Sequence, residues 1–272
     1  MKEANTSPAA RRAAENAGQT ASAADRTEAA IDVHPSSLKI LLWDIDGTLV
    51  RSRVSGAFKR YFVPTMQKIF GSVGDFDAMQ FSGMTDTQII YESLRAEGFT
   101  PEQIFAKKDE LLRVFEEEMK AVFAADPAQH EVLPGVRELL ERADRDPRFV
   151  NALLTGNLSV AAEIKLKSVD LWHFFAGAPH AFGEHSHNRN DLSVEAGRLF
   201  NLRYEYEFAP SQFVVIGDTP NDIACARHFG AKAVAVATGR FELIEDDLEE
   251  KPDHFLPDLS DTEKVFRLLE RI

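Results

Sequence analysis

The sequence has very little cysteine, no long apolar run and too little positive charge to balance its acidic residues. Its one cysteine, Cys225, cannot form an internal disulfide, and the residues around it predict a buried thiol on the apolar face of a short helix. The apolar runs are far shorter than the roughly 18 residues of a membrane span, and no segment of signal-peptide type stands near the start. These absences predict a soluble, cytoplasmic protein without a membrane partner.

The shortage of positive charge restricts the partners further. The chain carries 31 Lys and Arg against 44 Asp and Glu, a formal net charge of −13. Nucleic-acid backbones are held by concentrated Lys and Arg, so a nucleic-acid partner is not expected. An acidic protein that binds an anion must collect positive charge locally, from a metal ion, a few basic side chains and backbone N–H groups.

What the sequence does have is an alternation of short apolar runs with amphipathic helical patterns. The runs at 39–43, 148–154, 212–216 and 231–237 are typical of strands buried on both faces of a sheet. Helical patterns lie at 136–143, 160–169, 194–204 and 223–229. Alternating strands and helices predict an α/β protein with a Rossmann-like, doubly wound parallel sheet.

The interval 55–132 breaks this alternation. It contains amphipathic stretches at 87–96 and 103–123, the first of them with Thr85 as a candidate N-cap, and no buried-strand pattern. We therefore predict an inserted helical cap domain at 55–132. The core domain then comprises 37–54 and 133–272, a division that a chain of 272 residues is long enough to allow.

Residues 1–36 differ in composition from the rest of the chain. They are rich in Ala, Glu, Thr and Ser, contain no aromatic residue and show no sustained apolar period. Such a segment buries too little apolar surface to offset the entropy of ordering it. We predict that it is a mobile tail.

Polar clusters follow three of the predicted strands directly. They are Asp44-Ile45-Asp46-Gly47-Thr48, Leu154-Thr155-Gly156-Asn157 and Gly217-Asp218-Thr219-Pro220-Asn221-Asp222. Open parallel sheets bind ligands at the carboxyl ends of their strands. Asp44 and Asp46 are two residues apart, so an extended chain points both carboxylates to the same side. Paired carboxylates without an adjacent base suit metal binding combined with nucleophilic and acid/base chemistry.

In this order the three clusters resemble the first, second and fourth motifs of the haloacid dehalogenase superfamily, and the resemblance covers roughly residues 38 to 260. The helical insertion after the first motif resembles the cap of the phosphoglycolate phosphatase-like branch. The resemblance implies a Mg²⁺-dependent phosphatase for a small phosphorylated metabolite, acting through a phosphoaspartate. Two alternatives stay open: a phosphomutase of the β-phosphoglucomutase type, and a non-catalytic binding or regulatory protein on the same fold. A dehalogenase proper is disfavoured because Asp46 is present.

The resemblance also implies roles for single residues. Asp44 is the expected nucleophile, and Asp46 is the expected acid/base, with a pKa that the charge of Asp44 is expected to raise. Mg²⁺ is expected to bind the carboxylates of Asp44 and Asp218 and the backbone carbonyl of Asp46. Asp222 is expected mainly to support these ligands rather than to bind the ion directly. The residues expected to hold the phosphate are Thr48, Thr155, Gly156 and Asn157.

The cation of the third motif is less clear, because the usual Lys-Pro pair is absent. Arg189 and Lys165 are both candidates, and we prefer Arg189 because Arg makes bidentate contacts to phosphate. The other residue is then expected to be an ordinary surface cation. His180, His185 and His187 lie near Arg189 in the chain, and we interpret them as part of a solvated loop rather than as a transition-metal site.

Overall fold

The apolar runs form a parallel sheet in the computed structural model of the chain, which describes residues 33–240 and 243–272. The strands are β1 Lys39–Trp43, β2 Val50–Ser52, β3 His130–Val132, β4 Phe149–Leu153, β5 Phe213–Gly217, β6 Lys232–Val236 and β7 His254–Leu256. Five of them form one sheet in the order β4-β1-β5-β6-β7, with every neighbouring pair parallel. The carboxyl ends of these strands therefore meet at one edge.

The helices cover both faces of this sheet. They are α1 Lys59–Phe70, α2 Asp86–Leu94, α3 Pro101–Phe105, α4 Lys108–Ala125, α5 Val136–Arg145, α6 Ser159–Ser168, α7 Asn190–Tyr204, α8 Pro220–Phe229 and α9 Thr262–Arg271. Leu41 and Trp43 of β1 pack with side chains of α5, α6 and α9, whereas Ile40 and Leu42 pack with side chains of α7 and α8. This confirms the predicted doubly wound α/β fold. Cys225 is fully buried, as predicted.

Helices α1 to α4, which we call the cap, lie between β2 and β3. These two strands pair antiparallel, with Val50 opposite Val132 and Ser52 opposite His130, so both chain connections to the cap run side by side. The cap has its own apolar cluster, to which Leu158 at the start of α6 also belongs. The pattern at 103–123 is divided into α3 and α4 rather than forming one helix.

The predicted tail falls almost entirely on residues 1–32, which lie outside the described part of the chain. Pro35–Ser37, at its end, forms a short 3-10 helix, and Gln212 donates a hydrogen bond to the Pro35 carbonyl. The domain boundaries stay a prediction. Within residues 33–240 and 243–272, no helix combines the length and the apolar character needed to cross a membrane.

One buried hydrogen bond fixes β1 against β4, and it provides a test of the fold. Trp43 is fully buried, and its Nε1 donates to Asn151 Oδ1 at 3.0 Å. Asn151→Leu keeps the size of the side chain but leaves the indole N–H without an acceptor. We expect the free energy of unfolding to fall by about 1–3 kcal/mol, measured by urea denaturation. In a Trp43→Phe background the same substitution should cost clearly less; an equal cost in both backgrounds would show that packing, not the hydrogen bond, is responsible.

Candidate active site

The first motif leaves β1 at the carboxyl edge of the sheet and turns sharply at Gly47. The Asp44 N–H still donates to the Ile216 carbonyl of β5 at 3.0 Å, so Asp44 is held as a continuation of the strand. Gly47 has a φ of +97°, and a Cβ atom there would lie 2.4 Å from Asp218 Oδ2. A glycine at this position therefore allows both the sharp turn after Asp46 and the close approach of the Asp218 side chain.

Three buried carboxylates meet at this edge. One oxygen from each of Asp44, Asp218 and Asp222 lies within 4.8 Å of the others. Burial raises the pKa of Asp44 to about 6, even though the guanidinium of Arg189 favours its charged form. Burial and the charges of Asp44 and Asp222 raise the pKa of Asp218 to about 9. The cluster therefore carries more negative charge than its surroundings balance.

Arg189 neutralises one side of this cluster. It lies at the start of α7, and its Nη2 donates to Asp44 Oδ1 at 3.0 Å and also to Asp222 Oδ1. Asp222 Oδ2 accepts from both the backbone N–H and the hydroxyl of Thr219, which begins α8. Both oxygens of Asp222 are thus engaged by the protein, whereas Asp218 receives a side-chain hydrogen bond from the Thr48 hydroxyl at 3.3 Å.

This donor set fits a hard divalent cation. Mg²⁺ prefers oxygen ligands and is commonly bound by one or two carboxylates, and a cation here would offset the crowding that raises the pKa of Asp218. Asp44 and Asp218 are the carboxylates that would hold it. Asp222 lies next to them and is paired with Arg189. The Asp46 side chain is not part of this group, so its expected contribution through the backbone carbonyl stays a prediction.

Asp46 makes its contacts away from the carboxylate cluster. Its Oδ2 accepts from Lys165 Nζ at 2.6 Å and from Asn157 Nδ2 at 2.8 Å, and Asn157 Oδ1 accepts from the same ammonium at 2.6 Å. The expectation that the charge of Asp44 raises the pKa of Asp46 is wrong. Desolvation by the surrounding protein acts in the raising direction, but the ammonium of Lys165 outweighs it and holds the pKa of Asp46 below its ordinary value.

Both candidate cations therefore lie at the site, one for each carboxylate of the first motif. Lys165 and Arg189 are each only 6% exposed, so the expectation that one of them is an ordinary surface cation is wrong. Sequence position alone did not reveal this, because the pairs Lys165–Asp46 and Arg189–Asp44 join residues 119 and 145 positions apart.

The second motif supplies polar groups to the cavity next to Asp46. The Thr155 hydroxyl accepts from Asn157 Nδ2 at 2.8 Å, which leaves its own proton available to a ligand. Thr155, Gly156 and Asn157 border the cavity above the site. Thr48, which is fully buried, contacts Asp218 instead and does not border the cavity.

The start of α2 joins the cap to these loops. Thr85 is the N-cap of α2, as predicted, and its hydroxyl also donates to the His187 carbonyl at 3.2 Å. Asp86 donates from its backbone N–H to the Gly156 carbonyl at 2.7 Å and accepts from the Leu158 N–H at 2.8 Å. Burial raises the pKa of the Asp86 carboxyl to about 7. These contacts of Asp86 were not predicted, because they join segments that lie 70 or more residues apart.

The three histidines near Arg189 form no metal site among the described residues. His185 is exposed, as a solvated loop requires. For His180 the solvated-loop interpretation is wrong: its Nδ1 accepts from the Leu153 N–H at 3.2 Å, and burial lowers its pKa to about 4. His180 therefore helps to hold β4 next to the loop.

A cavity of about 430 Å³ lies between the cap and the carboxyl edge of the sheet. Asp44, Asp46, Lys165, Arg189 and Asp218 all border it. The carboxylates, the two cations and the second motif thus border one cavity, whose volume lies within the roughly 300–1,000 Å³ range of ligand sites.

Comparison with known proteins agrees with this geometry. The model of the haloacid dehalogenase-like hydrolase family matches residues 41–227, and a second, HAD-hydrolase-like model matches residues 195–262. The chain therefore belongs to the haloacid dehalogenase-like hydrolase family, which confirms the resemblance read from the motifs. No curated protein matches the chain.

Solved structures share the architecture. A predicted phosphoglycolate phosphatase from Haemophilus somnus is 16% identical, with 86% of this chain and 100% of that chain covered and a TM-score of 0.53. A hydrolase from Pseudomonas syringae is 20% identical over 85% and 98%, with a TM-score of 0.56. CbbY from Rhodobacter sphaeroides, in complex with phosphate, is 17% identical over 82% and 96%, with a TM-score of 0.58. At these identities the similarity concerns the fold.

The crowding around Asp218 generates a prediction about Mg²⁺. The pKa of this buried carboxyl in the folded protein, about 9, lies above its ordinary 3.8, so without a cation it costs stability as the pH rises from 3.8 towards 9. At pH 8 and without Mg²⁺ we expect Asp218→Asn to raise the midpoint of thermal unfolding by at least about 3 °C. With Mg²⁺ present the order should reverse, because the cation stabilises the unchanged protein by mass action and the variant much less.

Differential scanning fluorimetry with Mg²⁺ and then with excess EDTA measures both effects. Asp247→Asn, which changes an exposed carboxylate that does not border the cavity, is the matched control and should show neither effect. A Mg²⁺-induced rise of equal size in Asp218→Asn and in the unchanged protein would remove Asp218 from the metal site.

Proposed function

We propose that this hydrolase is a Mg²⁺-dependent phosphatase that cleaves phosphate monoesters through a phosphoaspartate on Asp44. One observation carries the proposal: Asp44 is held by Arg189 beside Asp218, while Asp46, two residues on, is held apart from them by Lys165. The two carboxylates of the first motif thus lie in different electrostatic surroundings, as a nucleophile and an acid/base require.

In the first step a carboxylate oxygen of Asp44 attacks phosphorus in line with the ester oxygen. The new bond is Asp44 O–P, the bond that breaks is P–O to the alcohol, and the alcohol oxygen takes a proton from Asp46. Arg189 balances the charge that gathers around Asp44 and the phosphoryl oxygens. Mg²⁺, when bound to Asp44 and Asp218, reduces the repulsion between these carboxylates and the phosphate.

In the second step water attacks the phosphoaspartate and releases inorganic phosphate. Asp46, now a carboxylate, takes the proton of the attacking water, and Asp44 is restored. The ammonium of Lys165 favours the carboxylate form that this step needs. The proton that Asp46 takes from this water is the one that it gives to the alcohol of the next substrate, and Lys165 stays an ammonium throughout.

Comparing substrates with good and poor leaving groups distinguishes the role of Asp44 from that of Asp46. Asp44→Asn should form no phosphoenzyme with any ester. Asp46→Asn should lose turnover of alkyl phosphates, whose alkoxide needs a proton, by a factor on the order of 10²–10⁴. It should still be phosphorylated by p-nitrophenyl phosphate and then accumulate the adduct, because water activation is slow. Intact-protein mass spectrometry after acid quench detects the adduct.

Two results would count against this mechanism. If Asp46→Asn shows no adduct and loses aryl and alkyl turnover equally, Asp46 is a structural residue rather than the acid/base. If the unchanged protein with Mg²⁺ releases no phosphate even from p-nitrophenyl phosphate, the chain is a non-catalytic member of its family. Product analysis with sugar phosphates would reveal mutase activity as a transferred rather than released phosphoryl group.

Variants of Arg189 and Lys165 should differ in how they affect aryl and alkyl phosphates. Arg189→Ala removes a contact to the nucleophile, so we expect aryl and alkyl phosphates to slow alike, on the order of a hundredfold. Lys165→Met removes the hydrogen bond that positions the Asp46 carboxyl, so turnover of alkyl phosphates, which depends on proton transfer from Asp46, should fall more than turnover of aryl phosphates. Without the ammonium, burial should raise the pKa of Asp46 and move the alkaline limb of the pH–rate profile for alkyl phosphates to higher pH, because Asp46 must be protonated to act on the leaving alcohol.

Steady-state kinetics with p-nitrophenyl phosphate and an alkyl phosphate, across pH, tests both cations. Lys167→Met is the matched control, since Lys167 lies on the same helix with an exposed side chain paired to Glu163. An unchanged alkyl-to-aryl ratio in Lys165→Met would mean that Lys165 does not act through Asp46.

A further inference from the structure

Aromatic rings contribute much of the cavity lining on the cap side. Six aromatic side chains border the cavity: Phe58, Tyr61, Phe62, Phe81, Phe115 and Phe123. Phe58, Phe81 and Phe123 are only partly buried, unlike the rings of the cap core. Phe58 and Phe81 contact each other edge to face at 5.3 Å between centroids. These six rings, which we call the aromatic wall, lie beside a smaller number of polar side chains, among them Gln80, Ser82 and Gln129.

One of the polar side chains beside this wall, His130, has no partner for a buried ring nitrogen among the described residues. His130 of β3 is 8% exposed, borders the cavity and stacks on Phe123, with centroids 5.5 Å apart and planes at 16°. Its Nδ1 is completely buried and without a hydrogen-bond partner among the described residues. Burial and the charge of Lys165 lower the pKa of His130 to about 4, so the ring is neutral at neutral pH.

A neutral imidazole carries its proton on one nitrogen only. A buried N–H without an acceptor is less favourable than a buried lone pair, because the donor loses a hydrogen bond that water would have accepted. The proton therefore belongs on Nε2 and Nδ1 keeps a lone pair. His130 is thus a hydrogen-bond donor at the edge of an aromatic wall, close enough to Asp46 for the charge of that carboxylate to act on its pKa.

We propose that the alcohol of the substrate carries an aromatic ring with a hydrogen-bond acceptor at its edge, which stacks on the cap aromatics and is recognised by His130. This inference rests on the proposed phosphatase function, because the aromatic wall receives the group attached to the phosphate. It makes His130 and the aromatic wall determinants of specificity.

The lining disfavours the other common phosphate esters on physical grounds. A sugar phosphate has a hydroxyl on nearly every carbon, and hydroxyls placed against phenyl rings lose their hydrogen bonds to water without replacement. A two-carbon acid such as glycolate leaves most of a 430 Å³ cavity unfilled. A planar ring fills it and gains the offset and edge-to-face contacts that aromatic side chains favour.

The test compares primary alkyl phosphates that differ in the group attached to the reacting carbon. With the unchanged protein and Mg²⁺ we expect kcat/KM for benzyl phosphate to exceed that for glucose 6-phosphate and for phosphoglycolate by at least about tenfold. Pyridin-3-ylmethyl or pyridin-4-ylmethyl phosphate, which add an acceptor to the ring, should exceed benzyl phosphate by about fivefold.

His130→Phe separates hydrogen bonding from stacking, since it keeps a ring on Phe123 but removes the donor. We expect it to abolish the preference for the better pyridylmethyl ester over benzyl phosphate. His254→Phe is the control: this histidine also lies in a strand but is exposed, and it does not border the cavity, so the preference should be unchanged.

Binding to Asp44→Asn, measured by isothermal titration calorimetry, provides a readout that does not depend on turnover. This variant should bind benzyl phosphate at least about tenfold more tightly than glucose 6-phosphate. Stronger turnover or binding of glucose 6-phosphate or phosphoglycolate would overturn the inference while leaving the phosphatase proposal intact. Absence of phosphate release from every ester, p-nitrophenyl phosphate included, would overturn the proposed function and this inference with it.

Discussion

The structure is arranged around the need to bring several carboxylates to one edge of a sheet and keep them from repelling each other. Asp44, Asp218 and Asp222 lie within 4.8 Å of one another, and Asp46 follows two residues after the first. Two buried cations from different elements offset this repulsion: Arg189 pairs with Asp44 and Asp222, and Lys165 pairs with Asp46. Because each cation holds a different carboxylate, the charge balance also determines which oxygens stay available for chemistry.

The same arrangement explains why the cap contacts the loops and not only the sheet. The start of α2 is hydrogen-bonded to the second motif through Asp86 and to the loop before Arg189 through Thr85 and Thr87. Gly156 allows this approach, since a Cβ atom there would lie 2.2 Å from the Met84 carbonyl oxygen. The cap, which carries the aromatic wall, is therefore hydrogen-bonded at the start of α2 to the segments next to the two cations.

Much of the sheet could be predicted from the sequence, because buried parallel strands are nearly continuous apolar runs. The position of the site could be predicted from the polar motifs that follow β1, β4 and β5. Helix α1 was not predicted, and Pro64 in its middle removes the signal that a helical pattern would give. The contribution of His130 depends on the antiparallel β2–β3 pair, which joins residues about 80 apart. The pKa of Asp46 was predicted in the wrong direction because its sequence neighbour Asp44 was visible, whereas its spatial partner Lys165 was not.

The charge of the site also limits the order of events under the proposed mechanism. Four carboxylates, Asp44, Asp46, Asp218 and Asp222, face two cations that they already occupy, so neither cation is free to attract an incoming phosphate. The raised pKa of Asp218 shows the same imbalance, because a proton there relieves part of it. A divalent cation would replace that proton and bring the six groups close to neutrality. The phosphate then meets a balanced site instead of an excess of negative charge, so the metal has to bind before the substrate or together with it.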